Sequence, residues 1–170
     1  MSIYYIYQDQ KRCIGCYACE VHCKTWNNVP VGPRFCRIIP VGPKMISGVP
    51  RQQFIFMPCF HCEKPWCVSA CPTNAMQKRP KDGIVFVEQS LCVGCKSCIT
   101  ACPWGVPQWN PETGKAIKCD YCRGRVDKGL KPACVTKCTG KSLRWISAEE
   151  ASLLKRERFA KEIAEFKPVY

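Results

Sequence analysis

Apolar and polar residues alternate along this chain only in short bursts. After Asp82 and Gly83, a pair that marks a tight turn, Ile84 to Glu88 reads IVFVE and predicts a short strand. Two more strands are expected over Arg34 to Ile39 and Gln52 to Met57, with proline and glycine punctuating the stretch between them, and the two could pair as a ribbon. A different period begins after Trp145. Leu153, Leu154, Phe159, Ile163 and Phe166 recur at roughly helical intervals, and Ser147 with Glu150 has the spacing of a capping box, so residues 147 to 166 predict a helix. Its apolar side would either dock onto a partner subunit or cover the chain's own interior. The apolar runs, such as IVFV at 84 to 87, fall far short of the roughly 20 residues that cross a bilayer, so no direct membrane span is expected.

A length of 170 residues suits one ordinary domain or two very small ones. Seventeen cysteines inflate the 46% hydrophobic content, and the aliphatic and aromatic core is modest. Such a core usually needs covalent or metal staples. Sixteen of the 17 cysteines fall into four groups: Cys13, Cys16, Cys19 and Cys23; Cys59, Cys62, Cys67 and Cys71; Cys92, Cys95, Cys98 and Cys102; and Cys119, Cys122, Cys134 and Cys138. Every group ends on two cysteines four apart, about one helical turn, so three thiols can wrap one site while the fourth reaches another. The run CVGCKSCITACP at 92 to 103 has the spacing of bacterial two-cluster ferredoxins, in which the fourth cysteine ligates the other cluster. Structural zinc uses two well-separated pairs and gives no reason for a third cysteine three residues on; only the fourth group, split by an insertion, could pass for zinc alone. Disulfides fit poorly, because MSIYYIYQDQKRC shows no secretory leader and the thiols are crowded.

The formal charge of +13 would ordinarily suggest nucleic acid. Four cubane clusters with their thiolates, at about −2 each, would reduce it to about +5, so the basic excess reads as compensation for buried anionic groups, and no nucleic-acid partner is expected. No catalytic constellation is apparent. His22 and His61 lie inside cysteine groups and are expected to pack there or tune a cluster, the five tryptophans to shield the clusters from water, and Cys36 to behave as a small buried apolar residue in a strand.

Over residues 1 to 146 the sequence resembles the four-cluster iron-sulfur subunits of the molybdenum and tungsten bis-pterin oxidoreductases, the dimethyl sulfoxide reductase family. The resemblance rests on all four groups, on CFHCEKPWCVSACP, on DGIVFVEQSLCVGCKSC, and on KCDYCRGRVDKGLKPACV with Arg125, Gly129 and Pro132. Lys24 and Thr139, where proline would stand, are small departures. The resemblance implies an α+β fold of two ferredoxin-like two-cluster units, one inserted in the other. An outer unit would span 1–50 plus 104–146, an inner unit 51–103, and a C-terminal helix and tail 147–170. It implies four [4Fe-4S] clusters, held by Cys13, Cys16, Cys19 and Cys138; by Cys119, Cys122, Cys134 and Cys23; by Cys59, Cys62, Cys67 and Cys102; and by Cys92, Cys95, Cys98 and Cys71. The function it implies is the relay of single electrons between a molybdenum or tungsten catalytic subunit and a quinone-reactive membrane subunit or other redox partner. The alternative is a free-standing polyferredoxin acting as a soluble carrier. Location is open between the cytoplasm and an extracytoplasmic face reached by export with a partner.

Overall fold

In a computed structural model that describes residues 4–165, the strands are short and pair two by two, always antiparallel. β1 (Tyr4–Gln8) is followed by helix α1 (Ala18–Trp26) and the strands β2 (Arg37–Ile46) and β3 (Val49–Met57). Next come α2 (Trp66–Ser69), β4 (Met76–Lys78), β5 (Val85–Val87) and α3 (Ser97–Thr100). The chain continues through β6 (Gln108–Asn110), β7 (Lys115–Ile117), α4 (Arg123–Val126), α5 (Ala133–Thr136), β8 (Leu143–Ser147) and α6 (Ala148–Glu165). The pairs are β1–β8, β2–β3, β4–β5 and β6–β7. This is a small mixed α/β fold of the ferredoxin-like kind with a C-terminal helix.

The expected ribbon forms, and it is longer than the sequence suggested. β2 runs on through Pro40, which stays in register opposite Phe54, to Ile46, because an irregularity between Val41 and Lys44 takes up Pro43 without ending the pairing. Its base is buried where Ile38 faces Phe56, whereas Met45 near the tip is 68% exposed. Side chains satisfy the outer backbone edges at the base. The Glu20 carboxylate accepts from the Ile38 N–H; the Gln8 amide donates to the Phe54 carbonyl at 2.7 Å and accepts from the Phe56 N–H at 2.8 Å. The ribbon is thereby clamped between α1 and β1, and its edges are not left open for foreign strands.

The turn at Asp82 and Gly83 is present, and the strand after it is Val85–Val87, paired with β4. Arg79 holds Asp82 and also Asp127 at 2.8 Å, where Lys81 joins it at 2.7 Å; the 79–82 loop is thus tied to the end of α4. The first and last strands meet, Tyr4 opposite Ser147 and Gln8 opposite Leu143, so both ends of the cysteine-bearing region lie side by side.

The capping box forms as expected: the Ser147 N–H donates to Glu150 at 2.8 Å and the Glu150 N–H to the Ser147 hydroxyl at 3.1 Å. α6 rests against β8 and β1, yet Leu153, Phe159 and Ile163 are all more than half exposed. Of the two roles open to this helix, covering the interior is therefore the one the packing disfavours. Phe166 lies outside the described residues.

Three buried clusters form the interior, and cysteine is its commonest residue. Cys19, Cys23 and Cys134 pack with Ile38, Phe56 and Leu143; Cys59 and Cys119 with Ile84, Val106 and Tyr121; Cys98 with Met76, Val85 and Ala116. Cohesion therefore depends on what the sulfurs hold.

Candidate metal centres

Each cysteine group begins with the same backbone device. The residue before its second cysteine has a positive φ: 67° at Gly15, 45° at His61, 71° at Gly94 and 54° at Tyr121. Such a left-handed residue curls the chain so that successive N–H groups face one concavity, an arrangement suited to binding anions and to iron-sulfur sites. Glycine takes this conformation freely, whereas His61 and Tyr121 are strained in it, as residues at functional sites often are. The glycines also have no room for a side chain. A Cβ on Gly94 would sit 2.3 Å from the Gly114 carbonyl oxygen, and one on Gly15 would sit 2.5 Å from the Phe54 ring. In the first and third groups a second left-handed residue, Tyr17 or Lys96, turns the chain into α1 or α3.

Folding brings the thiols together across groups. Cys13, Cys16, Cys19 and Cys138 line one cavity, of about 330 Å³ including space open to solvent. Cys71, Cys92, Cys95 and Cys98 line another, of about 320 Å³ on the same measure. The thiol of Cys67 lies close enough to Cys59, Cys62 and Cys102 for their charges to act on it. Cys134 stands in the same relation to Cys23, Cys122 and Cys19, and Cys119 to Cys23, Cys59 and Cys134. Asn27, one helical turn after Cys23, joins the last set: its amide donates toward the sulfurs of Cys23 at 3.7 Å and Cys122 at 3.8 Å. In the two cavities and around Cys67 three sulfurs come from one group and one from another, whereas Cys134 and Cys119 face sulfurs of two and three groups.

The electrostatics of these sets ask for a cation. Burial, with the charges of Cys138, Glu20 and Cys13 adding to it, pushes the Cys19 thiol up to about 12 despite the opposing Glu20 N–H; burial and neighbouring thiols push Cys98 up to about 11. Burial and neighbouring thiols raise Cys119 and Cys134 as well. Bare thiolates crowded at this depth repel one another and lack water, so they ionise together only around bound metal. Donors are ready for them. The N–H of His61 points to Cys59 sulfur at 3.4 Å, that of Met76 to Cys71 at 3.4 Å, and those of Ser142 and Leu143 to Cys138 at 3.2 and 3.4 Å. Burial raises Cys71, but the Met76 N–H and the Thr73 hydroxyl outweigh it and the thiol is lowered. An all-thiol donor set is soft and suits iron-sulfide or zinc. Among the described residues no three His, Cys, Asp or Glu side chains converge closely enough to hold a single ion. Tetrahedral zinc, with Zn–S near 2.3 Å, would want its sulfurs about 3.8 Å apart, and no such convergence occurs among the described residues.

The remaining sequence candidates divide. Cys36 is buried as expected but lies just before β2, not in the strand, and its thiol donates toward the Cys19 carbonyl at 3.8 Å. His61 is fully buried with its ring centroid 3.7 Å from that of Tyr121; His22 is half-buried. Trp145 packs between Tyr4 and Tyr121, and Trp109 lies under the Lys96 ammonium. Trp26, Trp66 and Trp104 are more than half exposed and do not shield the interior as expected. Sequence reasoning missed Glu20, Asn27 and Lys118. Only Asn27 carried a signal, its i,i+4 spacing from Cys23.

The chain matches the model of the 4Fe-4S dicluster domain over residues 51–147, a span containing the second, third and fourth groups. The thiosulfate reductase electron transfer subunit of Salmonella typhi is 41% identical over 152 residues, covering 88% of this chain and 79% of the relative. The B polypeptide of the anaerobic dimethyl sulfoxide reductase of Escherichia coli K12 is 39% identical over 147 residues, covering 82% and 71%. The Haemophilus influenzae polypeptide of the same description is 35% identical over 162 residues, covering 88% and 77%.

Proposed function

This chain belongs to the 4Fe-4S dicluster family, and on that premise we propose that it is the electron-transfer subunit of a complex of the thiosulfate or dimethyl sulfoxide reductase type, relaying single electrons through four [4Fe-4S] clusters. The family description names two clusters; the sixteen grouped thiols offer twice that. Cys13, Cys16, Cys19 and Cys138 would hold the first cluster; Cys23, Cys119, Cys122 and Cys134 the second; Cys59, Cys62, Cys67 and Cys102 the third; Cys71, Cys92, Cys95 and Cys98 the fourth. Bound clusters would supply one-electron chemistry at potentials set by thiolates, hydrogen bonds and burial. The chain's own part is to hold them, aim N–H groups at the sulfurs and keep water out.

The observation that carries the relay is the order in which the buried clusters join the thiols. The first buried cluster contains sulfurs of the first and second sets, Cys19 and Cys138 with Cys23 and Cys134. A second adjoins Cys119 of the second set to Cys59 and Cys102 of the third. The last joins Cys67 of the third set to Cys71, Cys92 and Cys98 of the fourth. That sequence of contacts supports a series from first to fourth, and β1 meeting β8 around the 51–103 stretch supports an inner unit inserted in an outer one of 1–50 plus 104–146. At each end of the series an apolar residue that lines the cavity is also two-thirds exposed, Ile14 at the first set and Val93 at the fourth. These suit docking of one redox partner at each end, a molybdenum or tungsten bis-pterin catalytic subunit at one and a quinone-reactive membrane subunit or other acceptor at the other. Among the described residues no helix is long and apolar enough to cross a membrane.

Anaerobic purification of the native complex tests the assignment. Co-elution with a large polypeptide containing molybdenum or tungsten is the expected result. A chain eluting alone at its own mass, fully loaded with iron, would favour the free polyferredoxin.

A further inference from the structure

Lys118 is 4% exposed, and its ammonium donates to two neutral acceptors, the carbonyls of Val85 and Cys119. No carboxylate of the described residues pairs with it. The nearest in sequence, Asp120, is turned to the Cys122 N–H at 2.9 Å and Arg123 at 3.6 Å. A buried ammonium facing only carbonyls is costly, and chains retain one where an anionic group lies beside it. The lysine bears on sulfurs of two different sets. Cys59 and Cys119 pack in one buried cluster, and the Cys119 carbonyl is one of the lysine's two acceptors. Those residues belong to the third and second sets, at the seam between the inner and outer units.

A second donor at this seam lacks an acceptor altogether. The Val85 N–H donates to His61 Nδ1 at 2.8 Å, which puts the histidine hydrogen on Nε2, and Nε2 is buried with no partner. Val85, 1% exposed on β5, thus locks both groups, its N–H fixing the histidine ring and its carbonyl fixing the ammonium. Reducing a cluster adds negative charge, and a fixed cation in a dry interior favours the reduced form, which raises the potential.

We propose that the Lys118 ammonium is the shared counter-charge of the second and third clusters and sets the potentials of both, making it a positioning and tuning residue for the middle of the relay. The inference rests on the four-cluster reading above. Its test therefore starts by counting iron and acid-labile sulfide in the holoprotein, which judges that reading alone. Redox titrations followed by electron paramagnetic resonance are then run on the wild type and on Lys118→Met, Lys118→Gln and Lys118→Arg. The expected result is a lowered potential for two of four clusters in the Met and Gln variants, with the other two unmoved and the Arg variant close to wild type. All four potentials unmoved, all four shifted alike, or an Arg variant shifted as far as the neutral ones would overturn the proposal. Should both neutral variants fail to hold clusters, Lys118→Arg decides. Full loading at wild-type potentials means the site needs charge; loss there too means it needs the lysine's shape, and the proposal falls.

Discussion

Glu20 offers the sharpest energetic test of how the first thiol set is held in place. It follows Cys19 in α1, is 6% exposed, and its carboxylate accepts from the Ile38 N–H and from Arg34 at 2.7 Å. Glu20→Ala would leave the Ile38 N–H, on a residue 5% exposed, without an acceptor. An orphaned buried donor costs about 1–3 kcal/mol. Arg34 is nearly half exposed, so its half of the arrangement adds little beyond about 0.5 kcal/mol. The sum is about 2 kcal/mol. Cluster loss is irreversible, so the proper assay is a rate, the thermal bleaching of the visible iron-sulfur absorbance under anaerobic conditions. If the contact is broken before the cluster is lost, about 2 kcal/mol corresponds to about 30-fold faster bleaching. Glu20→Gln keeps an acceptor for Ile38 and should bleach far more slowly than the alanine variant. Bleaching of Glu20→Ala within about twofold of wild type would refute the claim that this carboxylate clamps α1 to the ribbon.

Cys102→Ser should damage the cluster held by Cys59, Cys62 and Cys67 and spare the one beside it in sequence; magnetic resonance showing loss of the neighbouring site alone would reject the exchange of fourth cysteines. Gly94→Ala forces a left-handed alanine whose Cβ would lie 2.3 Å from the Gly114 carbonyl oxygen, so loading of the fourth site should fall sharply on iron analysis while the first site persists. Removing metal should largely unfold the chain, because thiols dominate its interior and binding is coupled to folding. A chelated sample that keeps the near-ultraviolet circular dichroism of the holoprotein would contradict this.

The parts of the molecule written locally were legible in the sequence. The fourfold cysteine spacing, the capping box at Ser147 and Glu150 and the strand after Gly83 each lie within a few residues, where covalent geometry constrains them. Distance in sequence hid the rest. β1 and β8 pair across nearly the whole chain, and β4 and β6 are three residues long, too short to show a period. The ribbon was cut short because Pro40 and Pro43 read as stops, although an irregular two-stranded ribbon accommodates them. Nothing in the sequence sets Lys118 apart from other lysines; only the packing of Val85 and Cys119 around it shows its burial. The tryptophans erred the other way, since Trp26, Trp66 and Trp104 lie near cysteine in sequence and face outward in space.

Iron and acid-labile sulfide, measured per polypeptide on anaerobically prepared and fully loaded protein, address the central claim most directly. Four cubane clusters require about sixteen of each. A value near eight would leave half the thiols without a role, and zinc in place of iron, with no sulfide, would overturn the relay altogether.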